Sequence, residues 1–214
     1  MLSVPPAASL LKSAMLTEHA KVLPTGDEWF YEPNFAGERV LAVKEDAGVK
    51  FQTIAHSKDV TNRFPVLAAL VARLSAVSLV LEATLCGIET WQQEAFAACH
   101  SLTAPPFGSA TMRLIASDLL WFDGMDIRQC PLHDRKARVR QLVAGTSALE
   151  PLPLSPSTAD ILAQARQFGA DAVIAKRRNS RYRPFARSGD WIRVNVDAAT
   201  HRSDGADREL ELTH

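Results

Sequence analysis

Cysteine, long apolar runs and an excess of charge of either sign are all scarce in this 214-residue sequence. The three cysteines, Cys86, Cys99 and Cys130, are widely spaced and form no Cys-x-x-Cys pair, which predicts reduced thiols and excludes a disulfide framework or a zinc ribbon. No apolar stretch approaches the roughly 20 residues that span a bilayer, and the N-terminus lacks the basic region of a secretory signal. These absences predict a cytoplasmic protein with no membrane partner.

The balance of charge also limits the partners. Lys+Arg and Asp+Glu number 24 each, so any attraction to nucleic acid must come from a local cluster of basic residues. Apolar residues make up 47% of the chain and charged residues 22%, which predicts a folded core and not a disordered chain. We expect a flexible lead-in over residues 1–14, one domain over residues 15–197 and a polar tail over residues 198–214.

The pattern of apolar residues predicts mixed strands and helices. Two β-type runs between residues 29 and 55 flank a turn at residues 45–48. Helical spacing is found at residues 64–74, 91–102, 132–143 (an Arg-rich amphipathic helix) and 158–168, the last capped by Ser157 or Thr158. Further strands are expected at residues 77–85, 111–122, 172–176 and 191–196. Without a regular strand–helix alternation, this order indicates an α+β fold.

One segment carries the first clue to function. Residues 29–39 read Trp-Phe-Tyr-Glu-Pro-Asn-Phe-Ala-Gly-Glu-Arg. This resembles the first signature of the ATP-dependent DNA ligases, Glu-x-Lys-x-Asp-Gly-x-Arg, whose lysine attacks the α-phosphate of ATP and carries AMP. Asn34 stands at the lysine position and Ala36 at the aspartate position. A carboxamide nitrogen has its lone pair delocalised into the carbonyl, so Asn34 cannot be that nucleophile.

The resemblance extends in order through residues 15–196. It includes the segments 58–65, 118–124, 169–176 and 191–195. It implies a nucleotidyltransferase, ATP-grasp-like fold of antiparallel sheets flanked by helices, a role in DNA repair or recombination, and ATP and Mg²⁺ as cofactors. The positions that match the family's nucleotide-binding residues are Glu32, Asn34, Arg39, Glu82, Asp171, Lys176 and Arg193.

Further departures from the family pattern fall at its active-site positions. Thr84 replaces the last carboxylate of an Asp-Gly-Glu signature, Ser117 replaces an aromatic that stacks on adenine, and Asn195 replaces a phosphate-binding lysine. No catalytic residue is therefore intact and no metal ligand set is predicted, which argues against binding of ATP and Mg²⁺. The oligonucleotide-binding barrel that follows this domain in DNA ligases is not expected, since 18 residues follow Val196.

The resulting prediction is a catalytically inactive pseudo-ligase that retains, at most, weak nucleotide or DNA binding. Three alternatives remain open: an active ligase that uses a displaced lysine, Lys44 or Lys176; a non-catalytic module that contacts a repair protein; and a fold remnant without a role. Both lysines have another explanation, because Lys44 falls in the predicted hairpin and Lys176 matches a phosphate-contacting lysine.

Residues 176–187, here called the basic segment, carry six basic residues and no acidic one. Tyr182 and Phe185 are interleaved with the arginines, a composition that suits phosphates and stacked bases. Phe185 replaces a glycine of the family pattern, which predicts an altered backbone there. The predicted DNA-binding residues are Arg177, Arg178, Arg181, Arg183 and Arg187.

Overall fold

The computed structural model describes residues 14–87, 112–146 and 148–197. These residues divide into two compact units. Unit 1 comprises Ala36–Leu152, Asn179–Phe185 and residues 14–15, and unit 2 comprises Leu16–Phe35, Pro153–Arg178 and residues 186–197. The predicted lead-in before residue 14, the predicted helix 91–102 and the predicted tail 198–214 lie outside the described residues.

Ten strands and three α-helices are present in the described residues. The strands are β1 (Leu16–His19), β2 (Trp29–Asn34), β3 (Glu38–Glu45), β4 (Gly48–Thr53), β5 (Leu79–Gly87), β6 (Met112–Phe122), β7 (Met125–Asp126), β8 (Leu149–Pro151), β9 (Ala172–Arg177) and β10 (Arg187–Asn195). The helices are α1 (Pro65–Ala72), α2 (Leu132–Val143) and α3 (Thr158–Gln167). The α+β prediction is confirmed.

Unit 1 is built on a six-stranded sheet with the order β4-β3-β5-β6-β7 and β8 beside β6. Its β3–β4 hairpin turns at residues 45–48 as predicted, and Gly48 has the positive φ of +119° that this turn requires. Helices α1 and α2 contribute Leu67, Val71, Val139 and Val143 to an apolar cluster with the sheet. The core of unit 1 is therefore a helix-covered sheet face.

Unit 2 is built on a four-stranded sheet with the order β1-β10-β9-β2. Helix α3 begins after Ser157, whose hydroxyl accepts a 3.2 Å hydrogen bond from the Asp160 amide, so Ser157 is the predicted cap. It ends before Gly169, which has a φ of +63°. Ile161 and Ala165 on α3 pack with the sheet into the apolar cluster of this unit.

Several sequence predictions need correction. The first β-type run contains two strands, β2 and β3, which join different sheets. Strand β10 begins at Arg187 and not at residue 191, and β1, which the sequence did not predict, pairs with it in parallel. The sheets are antiparallel as predicted, apart from the parallel β1–β10 and β6–β8 pairs.

Candidate functional site

The sheet of unit 2 has one apolar face and one face that carries candidate residues. Alternate strand residues point to opposite faces. One face contributes Trp29, Tyr31, Val173, Ala175 and Val194 to the cluster with α3. From the strand registers, the other face carries the polar and aromatic side chains of Glu32, Asn34, Lys176, Trp191, Arg193 and Asn195. The predicted site residues of unit 2 are thus brought onto a single surface.

Asn34 is engaged by neighbouring polar groups of that surface. Its Nδ2 donates a hydrogen bond of 2.9 Å to Oδ1 of Asp171. Nη2 of Arg193 donates to the other carboxylate oxygen of Asp171 at 2.7 Å, and Nη1 of Arg193 donates to Oδ1 of Asn195. A series of hydrogen bonds between an amide, a carboxylate and a guanidinium group therefore occupies the position where the family signature has its lysine.

Glu32 and Lys176 form a buried ion pair. Nζ of Lys176 lies 2.8 Å from Oε2 of Glu32, and the two side chains are 4% and 1% exposed, respectively. The same ammonium group lies 4.0 Å from the centre of the Trp191 ring, a cation–π contact across the β9–β10 register. The Lys176 amine is therefore held by a carboxylate and an aromatic ring, whereas a nucleophile must be a free amine.

The other lysine considered as a displaced nucleophile, Lys44, is also engaged. Lys44 lies at the end of β3 in unit 1, and its Nζ donates a 2.8 Å hydrogen bond to the carbonyl oxygen of Leu74. The contact ties this side chain to the segment after α1. It supports the reading of Lys44 as a structural residue of the hairpin.

In unit 1, Arg39 and Glu82 form a polar cluster that includes Tyr182. Arg39 donates to Oε1 of Glu82, and the Tyr182 hydroxyl donates to Oε2 at 2.7 Å. The Glu82 carboxylate raises the pKa of Arg39, and burial, followed by the Glu82 charge, raises the pKa of Tyr182. The resemblance assigned Arg39 and Glu82 to nucleotide binding, but here they bind each other and a tyrosine from the basic segment.

One substituted and one retained signature position of unit 1, Ser117 and Gly37, have local structural roles. Ser117 donates from its hydroxyl to the Glu82 carbonyl oxygen at 3.1 Å, a bridge between β5 and β6. Gly37 is required by close packing, because a Cβ atom there would collide with the carbonyl oxygen of Leu85 and crowd the Thr84 side chain. The retained glycine of the first signature thus has a packing reason independent of catalysis.

Unit 1 contains a buried ion pair that was not predicted from the sequence. Arg135 donates from Nε and Nη2 to the two oxygens of Asp118 at 2.8 and 2.9 Å, and both side chains are 0% exposed. Burial alone would lower the pKa of Arg135, but the charge and hydrogen bonds of Asp118, with smaller contributions from Tyr182 and Glu82, raise it overall. Helix α2 has the predicted bounds, yet Arg135 and Lys136 are buried, so its basic residues are not all on the polar face.

The basic segment is less loop-like than predicted, since Lys176 and Arg177 end β9 and Arg187 begins β10. The guanidinium of Arg177 lies 4.4 Å from the Trp29 ring centre, and its side chain also lies near Glu28 and Asp190. The predicted stacking role of Tyr182 is wrong, because the ring is 2% exposed and its hydroxyl is bound to Glu82.

The remaining predicted DNA-binding arginines are exposed. Arg178 packs 4.7 Å from the ring centre of Phe30 and donates to the Asp27 carbonyl at 3.2 Å. Arg187 donates to a backbone carbonyl of β1 at 3.3 Å. Arg181 and Arg183 form no ion pair with an acidic side chain in the part of the chain that the structure describes, so they are the arginines best placed to meet phosphate.

The described residues contain no group of three or more His, Cys, Asp or Glu side chains that could hold a metal ion. Both carboxylate oxygens of Asp171 accept hydrogen bonds from protein donors, as do both oxygens of Glu82. A Mg²⁺ ion at either carboxylate would therefore share its ligand oxygens with these donors. Within the described ranges, no helix is long and apolar enough to cross a membrane; a cytoplasmic location stays a prediction.

The family model described as "ATP dependent DNA ligase domain" matches residues 10–195 of this chain. The chain belongs to the ATP-dependent DNA ligase family. Among curated relatives, the multifunctional non-homologous end joining protein LigD of Pseudomonas aeruginosa is 31% identical over 175 residues, which are 80% of this chain and 20% of LigD. DNA ligase 2 of Haloquadratum walsbyi is 25% identical over 202 residues, 87% of this chain and 32% of that protein. The chain thus spans between a fifth and a third of these relatives.

Solved structures agree on the fold. The ligase domain of Mycobacterium tuberculosis LigD aligns with a TM-score of 0.69 and 26% identity, covering 86% of this chain and 59% of that one. A mycobacterial DNA ligase D complexed with ATP and MES aligns with a TM-score of 0.68 and 24% identity, over 86% of this chain and 60% of the other. The predicted nucleotidyltransferase domain is therefore confirmed, as is the resemblance to the ligases.

Proposed function

We propose that this chain is a ligase-family domain that does not adenylate itself. The observation that carries the proposal is the hydrogen bond from Asn34 to Asp171 at the nucleophile position. The family reaction needs a free amine there to form a phosphorus–nitrogen bond and release pyrophosphate. Asn34 offers a delocalised amide nitrogen that is already bound to a carboxylate, so no phosphoramidate can form at this residue.

The surrounding residues support the same proposal. Phosphoryl transfer depends on positioned charges and metal ions more than on covalent chemistry by the protein. Lys176 is neutralised by Glu32, and both Asp171 and Glu82 bind protein donors. Because both carboxylates already accept hydrogen bonds from protein donors, we assign no step to MgATP. The competing proposal, an active ligase with a displaced lysine, would require Lys44 or Lys176 to leave these partners.

Labelling with ATP that carries radioactive phosphorus at the α position tests the proposal. The protein is incubated with labelled ATP and Mg²⁺, denatured and separated by electrophoresis. We expect no label on the wild type, and label on the wild type would contradict the proposal. Matched variants restore the signature stepwise: Asn34→Lys alone, then with Ala36→Asp and Thr84→Glu. Label that appears only in the combined variant would show that the fold still supports adenylation and that the substituted side chains account for its absence in the wild type.

We further propose that the chain holds DNA through the basic segment. Support comes from Arg181 and Arg183, which are exposed on either side of the buried Tyr182. Because Tyr182 is anchored between them, the two guanidinium groups keep a fixed spacing and can bind successive phosphates of a DNA strand. The relatives named for non-homologous end joining and as DNA ligases make DNA the expected partner.

Fluorescence anisotropy with a labelled nicked duplex, measured across a salt series, tests DNA binding. We expect the Arg181→Ala/Arg183→Ala variant to bind more weakly and to reduce the salt slope by about two charges. Arg166→Ala is the matched control, because Arg166 lies on α3 outside the basic segment. Unchanged affinity in the double variant would contradict the proposal and favour the alternative, a module that contacts a repair protein.

A further inference from the structure

Residues Asn179–Phe185 are held firmly within unit 1 despite their lack of regular secondary structure. Nη1 of Arg135 donates to the Ser180 carbonyl at 3.1 Å. The Tyr182 amide donates to the Arg128 carbonyl at 2.9 Å. Since Arg135 is itself fixed by its buried carboxylate partner, the backbone of this stretch is positioned from two sides. It can therefore present exposed side chains in a defined arrangement.

Phe185 ends this stretch with an unusual combination of exposure and backbone conformation. Its side chain is 66% exposed, and it is the one aromatic among the large hydrophobic residues that are exposed in the described ranges. Its φ is +62°, in the left-handed region that disfavours residues with a Cβ. Pro184 precedes it in the same turn, and the Phe185 amide donates to the Ala14 carbonyl at 3.3 Å. The strained conformation is thus fixed by neighbouring contacts.

An exposed hydrophobic residue alone needs no explanation. Phe185, however, occupies a turn position that glycine or asparagine would fill at lower conformational cost. The phenyl ring makes no burial gain that offsets this cost in unit 1, since two thirds of it faces solvent. Residues held in such conformations concentrate where a side chain meets a ligand. The ring therefore points to a binding partner with an apolar face.

We infer that Phe185 stacks on an unpaired base of a DNA strand whose phosphates are held by Arg181 and Arg183. Every base offers a π-face to an aromatic ring, and single-stranded binding sites combine stacked aromatics with basic residues that follow the backbone. A base inside a duplex is covered on both faces by its neighbours. The ligand class is therefore a strand end, a gap or an overhang. The inference rests on the proposed DNA binding and deepens it.

The test compares two DNA ligands: a duplex with hairpin-closed ends and the same duplex with a 3′ overhang that contains 2-aminopurine. The variant Phe185→Gly removes the ring and relieves the backbone, so its melting temperature is expected to be unchanged or higher. We expect it to bind the overhang DNA about tenfold more weakly than the wild type. Because phenylalanine carries no charge, the salt slope should not change. Affinity for the closed duplex should stay the same.

The matched control is Phe185→Trp, which keeps an aromatic face. It should retain the wild-type affinity for the overhang, and its tryptophan fluorescence should change on binding. If the wild type binds DNA but Phe185→Gly binds the overhang equally well, or weakens on both ligands alike, the stacking inference is overturned while DNA binding stands. If the wild type binds neither ligand, the proposed DNA binding itself fails.

Discussion

Removal of the Lys176 ammonium group is the perturbation that most directly shows whether this residue is now structural. Lys176→Met keeps most of the aliphatic side chain beside Trp191 but leaves the Glu32 carboxylate, 1% exposed, without its cationic neighbour 2.8 Å away. Removing one partner of a buried ion pair costs about 3–5 kcal/mol, because the remaining charge stays desolvated. That loss is a large fraction of the roughly 5–15 kcal/mol that stabilises a typical domain.

A double variant that replaces both charges completes a double-mutant cycle. Glu32→Leu/Lys176→Met leaves no uncompensated charge, and exchange of a buried pair for apolar residues of similar volume is often neutral or stabilising. We therefore expect the double variant to be more stable than Lys176→Met by about 3 kcal/mol or more. If the changes in unfolding free energy for Glu32→Leu and Lys176→Met simply add in the double variant, the two groups do not interact in solution.

Urea unfolding, followed by circular dichroism and by tryptophan fluorescence, measures these differences. Trp29 and Trp191 lie in unit 2 and Trp121 lies in unit 1, so tryptophan fluorescence reports on packing in both units, whereas circular dichroism reports on the secondary structure of the whole chain. Comparison of the two signals shows whether the chain unfolds in one step, and constant m-values are needed for the free energies to be compared. A loss below about 1 kcal/mol for Lys176→Met would refute the structural reading and return Lys176 to the set of available phosphate ligands.

Three further changes test other parts of the account. Tyr182→Phe removes the hydroxyl that donates to Glu82 at 2.7 Å, and urea unfolding should show a loss of about 1.5–3 kcal/mol, typical of a hydrogen bond to a charged group; no loss would contradict the anchoring role. Hydrogen bonds from Arg128 lower the pKa of Asp126, so this carboxylate stabilises the fold above its unfolded pKa of about 3.9 and the contribution is lost as pH falls through the lower folded value. Asp126→Asn should therefore flatten the acid limb of the stability–pH curve, and an unchanged limb would exclude this contribution. Burial raises the pKa of Cys86 to about 12, so mass spectrometry should find its thiol unmodified by iodoacetamide at pH 8 until urea unfolds the chain; rapid native modification would contradict its burial.

Local signals in the sequence predicted most of the secondary structure correctly. The hairpin at residues 45–48, the bounds of α2 and the Ser157 cap of α3 each depend on residues close together in the chain. Strand β1 could not be predicted in this way. Its four residues, Leu-Thr-Glu-His, show no buried alternation, and they become a strand only through a parallel partner about 170 residues later.

The candidate site shows the same division between local and long-range information. The resemblance assigned Asn34 and Asp171 to the same set of nucleotide-binding positions, and a hydrogen bond joins the two side chains in the structure. The motif could not reveal that Tyr182 is a buried partner of Glu82 and not a stacking residue, since an aromatic among arginines has the same local pattern in both roles. Nor did the periodicity of α2 show that Arg135 has a buried carboxylate on β6, 17 residues before it in the chain.

The retained signature residues pair with each other, which gives them a role in stability that does not depend on catalysis. Glu32 with Lys176, and Arg39 with Glu82, keep charges that would serve a nucleotide in an active ligase. A buried charge cannot be lost singly without a stability cost, so each member constrains its partner. Asn34 is free of this constraint, because a neutral amide still binds Asp171. On the proposal that the chain does not adenylate itself, the substitution removes the nucleophile and leaves the polar surface connected.

The proposal excludes self-adenylation, and intact-mass spectrometry detects this modification without a labelled substrate. The purified wild-type chain is incubated with ATP and Mg²⁺, with pyrophosphatase present to remove the released pyrophosphate, and the mass is measured before and after. We predict an unchanged mass for the wild type, since Asn34 cannot form the phosphoramidate and Lys176 is paired with Glu32. A mass increase equal to one AMP, mapped by peptide analysis to Lys44, Lys176 or any other lysine, would contradict it.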